Sequence, residues 1–246
     1  MFTFSGDGTP FTTGFPPTGG VGKNWQSEMR EATQQTAPAN DLLVESALRN
    51  LLFNNVNSFP DDLVSRNLQR GREHGIPSYN DLRTACGMDP LAETPPLRPV
   101  EISNSTWTTL LNTYTSPLNI DAFTGGLAET APNDGMVGPL FACIIKKQFL
   151  NLRDGDRFFF THEEDCSTQA RGLSPVAKNM ILHRSLASIM CDNIDPSTVS
   201  TQERVFEQAT PAGTAGNPRK VCSQFAKLDF EALAAEMSIT YGLVIT

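Results

Sequence analysis

Apolar residues in this chain recur at intervals of three and four between turns marked by Pro and Gly, and almost nowhere do they alternate. That spacing gathers them on one side of a 3.6-residue repeat, so the chain can bury them by packing helices and has little from which to build a sheet. From Asn40 onward, Val44, Ala47, Leu48, Leu51 and Leu52 share one helical face, with Asn40 or Asp41 available as the cap. A second helix is expected after Pro60-Asp61-Asp62, whose carboxylates suit the positive end of a helix dipole, and it should stop near Gly75, with Pro77 beyond. Further helices are expected near Tyr79–Cys86, Thr106–Tyr114, Pro139–Leu152, Pro175–Met190 and Phe225–Met237. Strand candidates are limited to short pieces such as Arg157–Thr161, where three Phe residues run on without alternation. The expected fold is mainly α with only short β segments.

The 246 residues can bury one large core, and the 39% apolar and 19% charged content is that of a packed protein. A formal charge of -8 repels phosphate backbones, which argues against nucleic acid as a partner. No apolar run is long enough to cross a bilayer, the closing Ile239–Thr246 stretch included. Residues 1–40 are rich in Gly, Pro, Thr and Ser and read as loop. Met1 to Gly20 lack the basic start and apolar core of a secretory signal, so the chain as written carries no visible address for export. Within them Gly19-Gly20-Val21-Gly22-Lys23-Asn24 approaches a phosphate loop, but Pro17 stands at the first Gly position and Asn24 at the Ser or Thr position.

Five cysteines, Cys86, Cys143, Cys166, Cys191 and Cys222, lie far apart with no C-x-x-C pair, which leaves disulfides or buried thiols rather than a zinc site. His162 and Cys166 flank Glu163, Glu164 and Asp165, but acidic neighbours raise a thiol pKa and oppose nucleophilic use. Asp154-Gly155-Asp156 lacks the spacing of a calcium loop and reads as a turn. The sequon Asn104-Ser105-Thr106 has meaning only in a secreted chain.

The stretch Leu63–His74 carries the most specific pattern. Asn67 and Arg70, three apart, project from one helix face, with Leu63 and His74 extending it, while Val64, Leu68 and Gly71 form the adjoining stripe. Gly71 weakens a helix interior, and its presence suggests close packing against a backbone or a flat ligand. Taken alone this is an amphipathic helix with solvated Arg66, Arg70 and Arg72. The longer string running from Arg66 through Arg70-Gly71-Arg72-Glu73-His74-Gly75-Ile76-Pro77 to Tyr79-Asn80-Asp81-Leu82-Arg83, however, resembles the signature of animal haem peroxidases. The likeness continues through Asn119–Glu129, Val137–Ile145, Gln148-Phe149, Leu152–Phe158 and Ile189–Asn193, so it covers roughly residues 41–225. Glu73 stands where that family has Asp, and Arg66 where it has an apolar residue.

The resemblance implies that residues 41–246 form the C-terminal half of an animal haem peroxidase domain. It implies that Asn67 accepts a hydrogen bond from the second ring nitrogen of a proximal histidine, fixing that ring's orientation, and that Arg70 pairs with a haem propionate. It implies no iron ligand, no catalytic residue and no calcium site in this chain, because the family carries all of these before the matched region. Haem, hydrogen peroxide, an electron donor and the missing N-terminal half are the implied partners, and the parent family's location is extracellular. His74, His162 and His183 fall where the family has no iron ligand and are expected to be surface or hydrogen-bonded residues. The family's framework also pairs Cys86 with Cys143 and Cys191 with Cys222 and leaves Cys166 free; the alternative is reduced cysteine in a chain that stays in a reducing compartment. Two functions follow: a haem-dependent peroxidase in which this chain supports the proximal side, or an inactive relative that serves as an extracellular interaction module.

Overall fold

A computed structural model describes residues 29, 32–34, 36, 41–50, 52, 61–132, 135–162, 173–194 and 199–241. The fold is mainly α, with two strands of three residues each among the described residues. It divides into two compact units, one built on Pro38–Arg153 and one on Asp154–Thr246.

In the first unit a single-turn helix, α1 (Ser46–Arg49), precedes α2 (Leu63–Glu73), α3 (Tyr79–Ala85), α4 (Asn104–Thr113), a 3-10 turn at Pro117–Asn119, α5 (Ala122–Ala128) and α6 (Pro139–Gly155). The helix expected from Asn40 is thus shorter. Asp41 Oδ1 accepts from Leu43 N at 2.7 Å, tying the carboxylate into a local turn two residues long rather than a helix start, and Leu52 is buried in an antiparallel bridge with Asp61. Asn40 and Leu51 lie outside the described residues.

α2 begins where the acidic pair foretold, with Asp62 Oδ1 accepting from Val64 N and Ser65 N. It ends on Gly75 at φ +66, a conformation that costs a residue with a side chain, while Ile76 N reaches back to Gly71 O at 2.9 Å. α3 is opened by a reciprocal cap between Ser78 and Asp81. The core of this unit gathers Tyr79, Leu91, Ile102, Trp107, Leu110, Ile120, Ala128 and Leu140, contributed by four helices and the loops between them. Close approach is part of its design: a Cβ on Gly125 of α5 would sit 2.2 Å from Tyr79 Cγ. The Cys86–Cys143 disulfide ties the end of α3 to α6.

In the second unit the single helix expected over Pro175–Met190 is two, α7 (Pro175–Leu182) and α8 (Leu186–Asn193). His183 closes α7, its ring Nδ1 lying 2.8 Å from Asn179 O, and Ser185 opens α8 through a reciprocal cap with Ser188. The apolar period runs through both helices, but the serine pair offers the backbone a better partner than continuation would. The strand expected at Arg157–Thr161 is instead two successive turns: Asp156 O accepts from Phe159 N, Phe159 O accepts from His162 N, and Asp156 Oδ1 holds Phe158 N. α6 itself runs on through Asp154 and Gly155, so the turn starts at Asp156, two residues later than the acidic pattern suggested.

The strands lie elsewhere. β1 (Ser200–Gln202) and β2 (Arg219–Val221) pair antiparallel, with Thr201 opposite Lys220. Two buried amides organise the loop between them. Asn217 donates to Arg204 O at 2.8 Å and accepts from Arg204 N at 3.0 Å, while Gln202 donates to Thr33 O at 2.6 Å and accepts from Arg219 Nη1 at 2.9 Å. Around them Ala187, Met190, Ile194, Val199, Val205 and Phe225 form a core crossed by the Cys191–Cys222 disulfide. A 3-10 turn at Cys222–Gln224 leads to the closing helix α9 (Phe230–Tyr241), which starts five residues after the expected Phe225.

Candidate functional site

α2 has no fully buried residue. A helix packed on one side only can present the other to a cavity, and this one does. A cavity of about 500 Å³ is bounded by Asn67, Leu68, Arg70 and Gly71 of α2, by Ile76 and Leu82 around the start of α3, by Asp121, Ala122 and Phe123 at the start of α5, and by Phe141 and Ile144 of α6. Its walls are mostly apolar, and the polar groups are few, Asn67 and Arg70 on α2 and Asp121 at the start of α5, the usual make-up of a site for an organic ligand.

Asn67 and Arg70, singled out from the sequence, both line this cavity. The three arginines of α2 differ in what they touch. Arg66 is paired with Asp61, and Arg72 grips Asp121 through Nε at 2.9 Å and Nη2 at 2.6 Å. Among the described residues, neither the Arg70 guanidinium nor the Asn67 amide has a hydrogen-bond or ionic partner. A carboxylate-bearing ligand could satisfy the first and an N–H donor the second. Gly71 corrects the expectation of tight packing against another protein segment: a Cβ there would find no atom within 4 Å, so its smallness widens the cavity instead.

Asp121 is the wall residue that sequence reasoning missed. It accepts from both nitrogens of Arg72 and from Tyr114 Oη at 2.9 Å, and the Arg72 guanidinium holds its carboxyl below the usual carboxylate range, against the opposing effect of burial. This pair fastens α2 to α5 beside the cavity, through Arg72 rather than Arg70. The signal available in the sequence was the helix-start pattern Asp121-Ala122-Phe123; nothing local showed that the partner would be Arg72, 49 positions away.

A second polar cluster sits in the core of the same unit. Tyr79 Oη donates to Glu129 Oε1 at 2.7 Å, Arg83 Nη1 reaches Tyr79 Oη at 3.1 Å and Glu101 Oε2 at 3.2 Å, and Glu129 Oε2 accepts from Leu140 N at 2.7 Å. Burial pushes the Glu129 carboxyl up, while the Leu140 amide and the Tyr79 hydroxyl pull it down less strongly; burial also raises Tyr79. The Glu129 carboxylate thereby caps the first turn of α6, which carries Phe141 and Ile144 into the cavity wall. Tyr79, Arg83 and Glu129 all fall in the matched blocks, but a sequence shows charge and not depth, so their burial was not legible.

His74 ends α2 with its Nδ1 3.1 Å from Arg70 O, and His183 ends α7 in the same manner. The His162 backbone carbonyl accepts from Lys178 Nζ at 3.0 Å, and its ring lies beside Phe159. No cluster of metal-ligating side chains is found among the described residues. Cys166 and its acidic neighbours lie outside them.

Comparison with known proteins places this geometry in context. The family model described as animal haem peroxidase matches residues 13–206. The chain is 40% identical to thyroid peroxidase of Sus scrofa over 154 residues, 62% of the chain and 16% of that protein. It is 38% identical to myeloperoxidase of Homo sapiens over 169 residues, 67% of the chain and 21% of that protein. Among solved structures, Peroxidase A from Dictyostelium discoideum aligns with a TM-score of 0.51 at 34% identity, covering 61% of the chain and 30% of that structure. The chain thus spans between about a seventh and a quarter of the curated relatives it matches.

Proposed function

The chain belongs to the animal haem peroxidase family, and on that premise we propose that it forms the proximal-side wall of a haem site in a complete peroxidase domain. The observation that carries this reading is the pair of polar side chains, Asn67 and Arg70, both without partners among the described residues and both facing one cavity whose other walls are largely apolar. That combination fits a flat apolar macrocycle edged with carboxylates. Leu68, Ile76, Phe123, Phe141 and Ile144 offer the apolar surface, Gly71 leaves room for a plane to approach α2, and Arg70 offers a fixed positive charge for a propionate.

Bound haem supplies the iron at which hydrogen peroxide is reduced and an electron donor, of a kind the site does not specify, is oxidised. The part of this chain is support. Arg70 neutralises a propionate in a partly apolar setting and so anchors the macrocycle. The Asn67 side-chain carbonyl accepts the ring N–H of the domain's proximal histidine, which fixes tautomer and ring plane. A neutral amide accepts less strongly than a carboxylate, so it steadies the ring with less gain in basicity. The Arg72–Asp121 clamp keeps α2 at its distance from α5 while these groups face inward. We place the protein outside the cell, in keeping with its two disulfides.

The test is made in the full-length domain. Arg70→Ala should weaken haem retention by roughly 10- to 100-fold, the worth of one charge-assisted hydrogen bond, with Arg70→Lys between it and the parent. Asn67→Ala should shift the iron reduction potential and lower turnover by about 10- to 100-fold, as loss of a ligand's hydrogen-bond partner does elsewhere. Haem affinity, spectrum and potential unchanged in both variants would reject the assignment.

A further inference from the structure

The sequence holds a single Asn-x-Ser/Thr triplet, Asn104-Ser105-Thr106, and the haem site makes no use of it. In the folded chain it forms the first turn of α4, directly after the capping residue Ser103. Asn104 and Ser105 are exposed, as are Thr108 and Thr109 one turn on, while Trp107 and Leu110 carry the helix into the core.

The chemistry of this face is unusual for an outward helix surface. All ten residues of α4 are uncharged, in a chain where charged residues make up 19% of the whole. The hydroxyls do not reach to other elements either. Thr108 Oγ1 donates to Asn104 O at 3.0 Å, Thr109 Oγ1 to Ser105 O at 3.1 Å and Thr113 Oγ1 to Thr109 O at 2.8 Å, each returning its proton to the helix's own backbone. What remains outward at this end of α4 is a neutral strip of small side chains, Asn104, Ser105, Thr108 and Thr109. Among the described residues the Asn104 side-chain amide has no hydrogen-bond partner. The Cys86–Cys143 and Cys191–Cys222 disulfides independently indicate an oxidising compartment, the compartment in which asparagine-linked sugars are added.

We propose that Asn104 is a site of N-linked glycosylation and that the hydroxyl-rich face of α4 is the surface on which the glycan lies. The donor is a lipid pyrophosphate oligosaccharide. The Asn104 side-chain nitrogen forms a bond to the anomeric carbon, the bond from that carbon to the pyrophosphate oxygen breaks, the lipid pyrophosphate leaves with the electron pair, and one amide proton is released. Transfer takes place on the extended chain, before α4 closes, so the folded structure needs only to leave room for the product, and the exposed strip does. The neutral sugar then supplies, on this face, the solvation that charged side chains supply elsewhere.

The experiment expresses the full chain behind a secretory leader in an animal cell line, with mass spectrometry of peptides from both secreted and retained material. Expected is a glycan at Asn104 that an amidase acting on the sugar linkage removes, leaving aspartate at that position, on molecules that carry both disulfides. Asn104→Gln and Ser105→Pro should each abolish the modification. The second keeps both Asn104 and Thr106 and places proline in a first helical turn, where it is tolerated. An unmodified Asn104 in secreted, disulfide-bonded chain overturns the proposal. So does a glycan found only on retained chain that lacks the Cys86–Cys143 bond, because then the face does not accommodate the sugar in the folded state.

Discussion

Asp121 shows how much one side chain can decide. Three donors converge on it, two from Arg72 and one from Tyr114, and the Arg72 guanidinium holds its carboxyl below the ordinary value. A carboxyl whose pKa falls on folding adds stability above its unfolded value and loses that contribution as pH falls through the folded one. Asp121→Asn should therefore flatten the acid side of the stability profile below about pH 4, read by thermal unfolding across a pH series, with little difference between variant and parent slopes near neutrality. Glu129 works in the opposite sense: its raised carboxyl favours the folded state at low pH and loses that advantage as pH rises through the folded value. The guanidinium between Glu129 and Glu101 is almost fully buried, so Arg83→Ala strands two carboxylates and should cost about 3 to 5 kcal/mol in urea unfolding. A cost under about 1 kcal/mol would mean that the cluster is not the tie described. Asn67 and Arg70 were readable from the string around them and lie on the cavity; Arg83 and Glu129 lie in equally specific strings, yet only tertiary burial gives them their weight.

Helices announced themselves where their ends carried local signals. Asp62 before α2 and Ser78 with Asp81 at α3 mark starts that depend on neighbours within a turn, and Pro139 is the first residue of α6. Where the apolar period continued across a cap, as at Ser185, one expected helix became two, because the cap competes with the interior bond. The strands were missed for the opposite reason: three residues carry no period, and β1 meets β2 across 19 positions of chain, counted from Ser200 to Arg219. α2 carries Asn67 and Arg70 and has no fully buried residue, so its cap matters more than usual. Asp62→Ala should cost about 1 kcal/mol by equilibrium unfolding, and amide exchange should quicken first at Val64 and Ser65.

Across the whole molecule, each disulfide closes a loop inside its own compact unit, with a sequence separation of 57 for Cys86–Cys143 and 31 for Cys191–Cys222. On the chain-entropy account, Cys191→Ser should cost roughly 3 to 4 kcal/mol. Hydrogen exchange should show protection lost between β1 and Phe225 while the Tyr79–Leu140 core keeps its own. Equal loss in both cores would contradict that division. By itself the sequence determined the helical class, the kinship, the face shared by Asn67 and Arg70, and, through that kinship, the cysteine pairing, because period, caps and motif strings are written in neighbouring residues. The tertiary structure alone decided that Arg72 and not Arg70 is taken up by Asp121, that Gly71 opens onto a cavity, and that Glu129 is buried as the cap of α6. Those outcomes depend on groups far apart in the chain, whose meeting is set by the packing of the core.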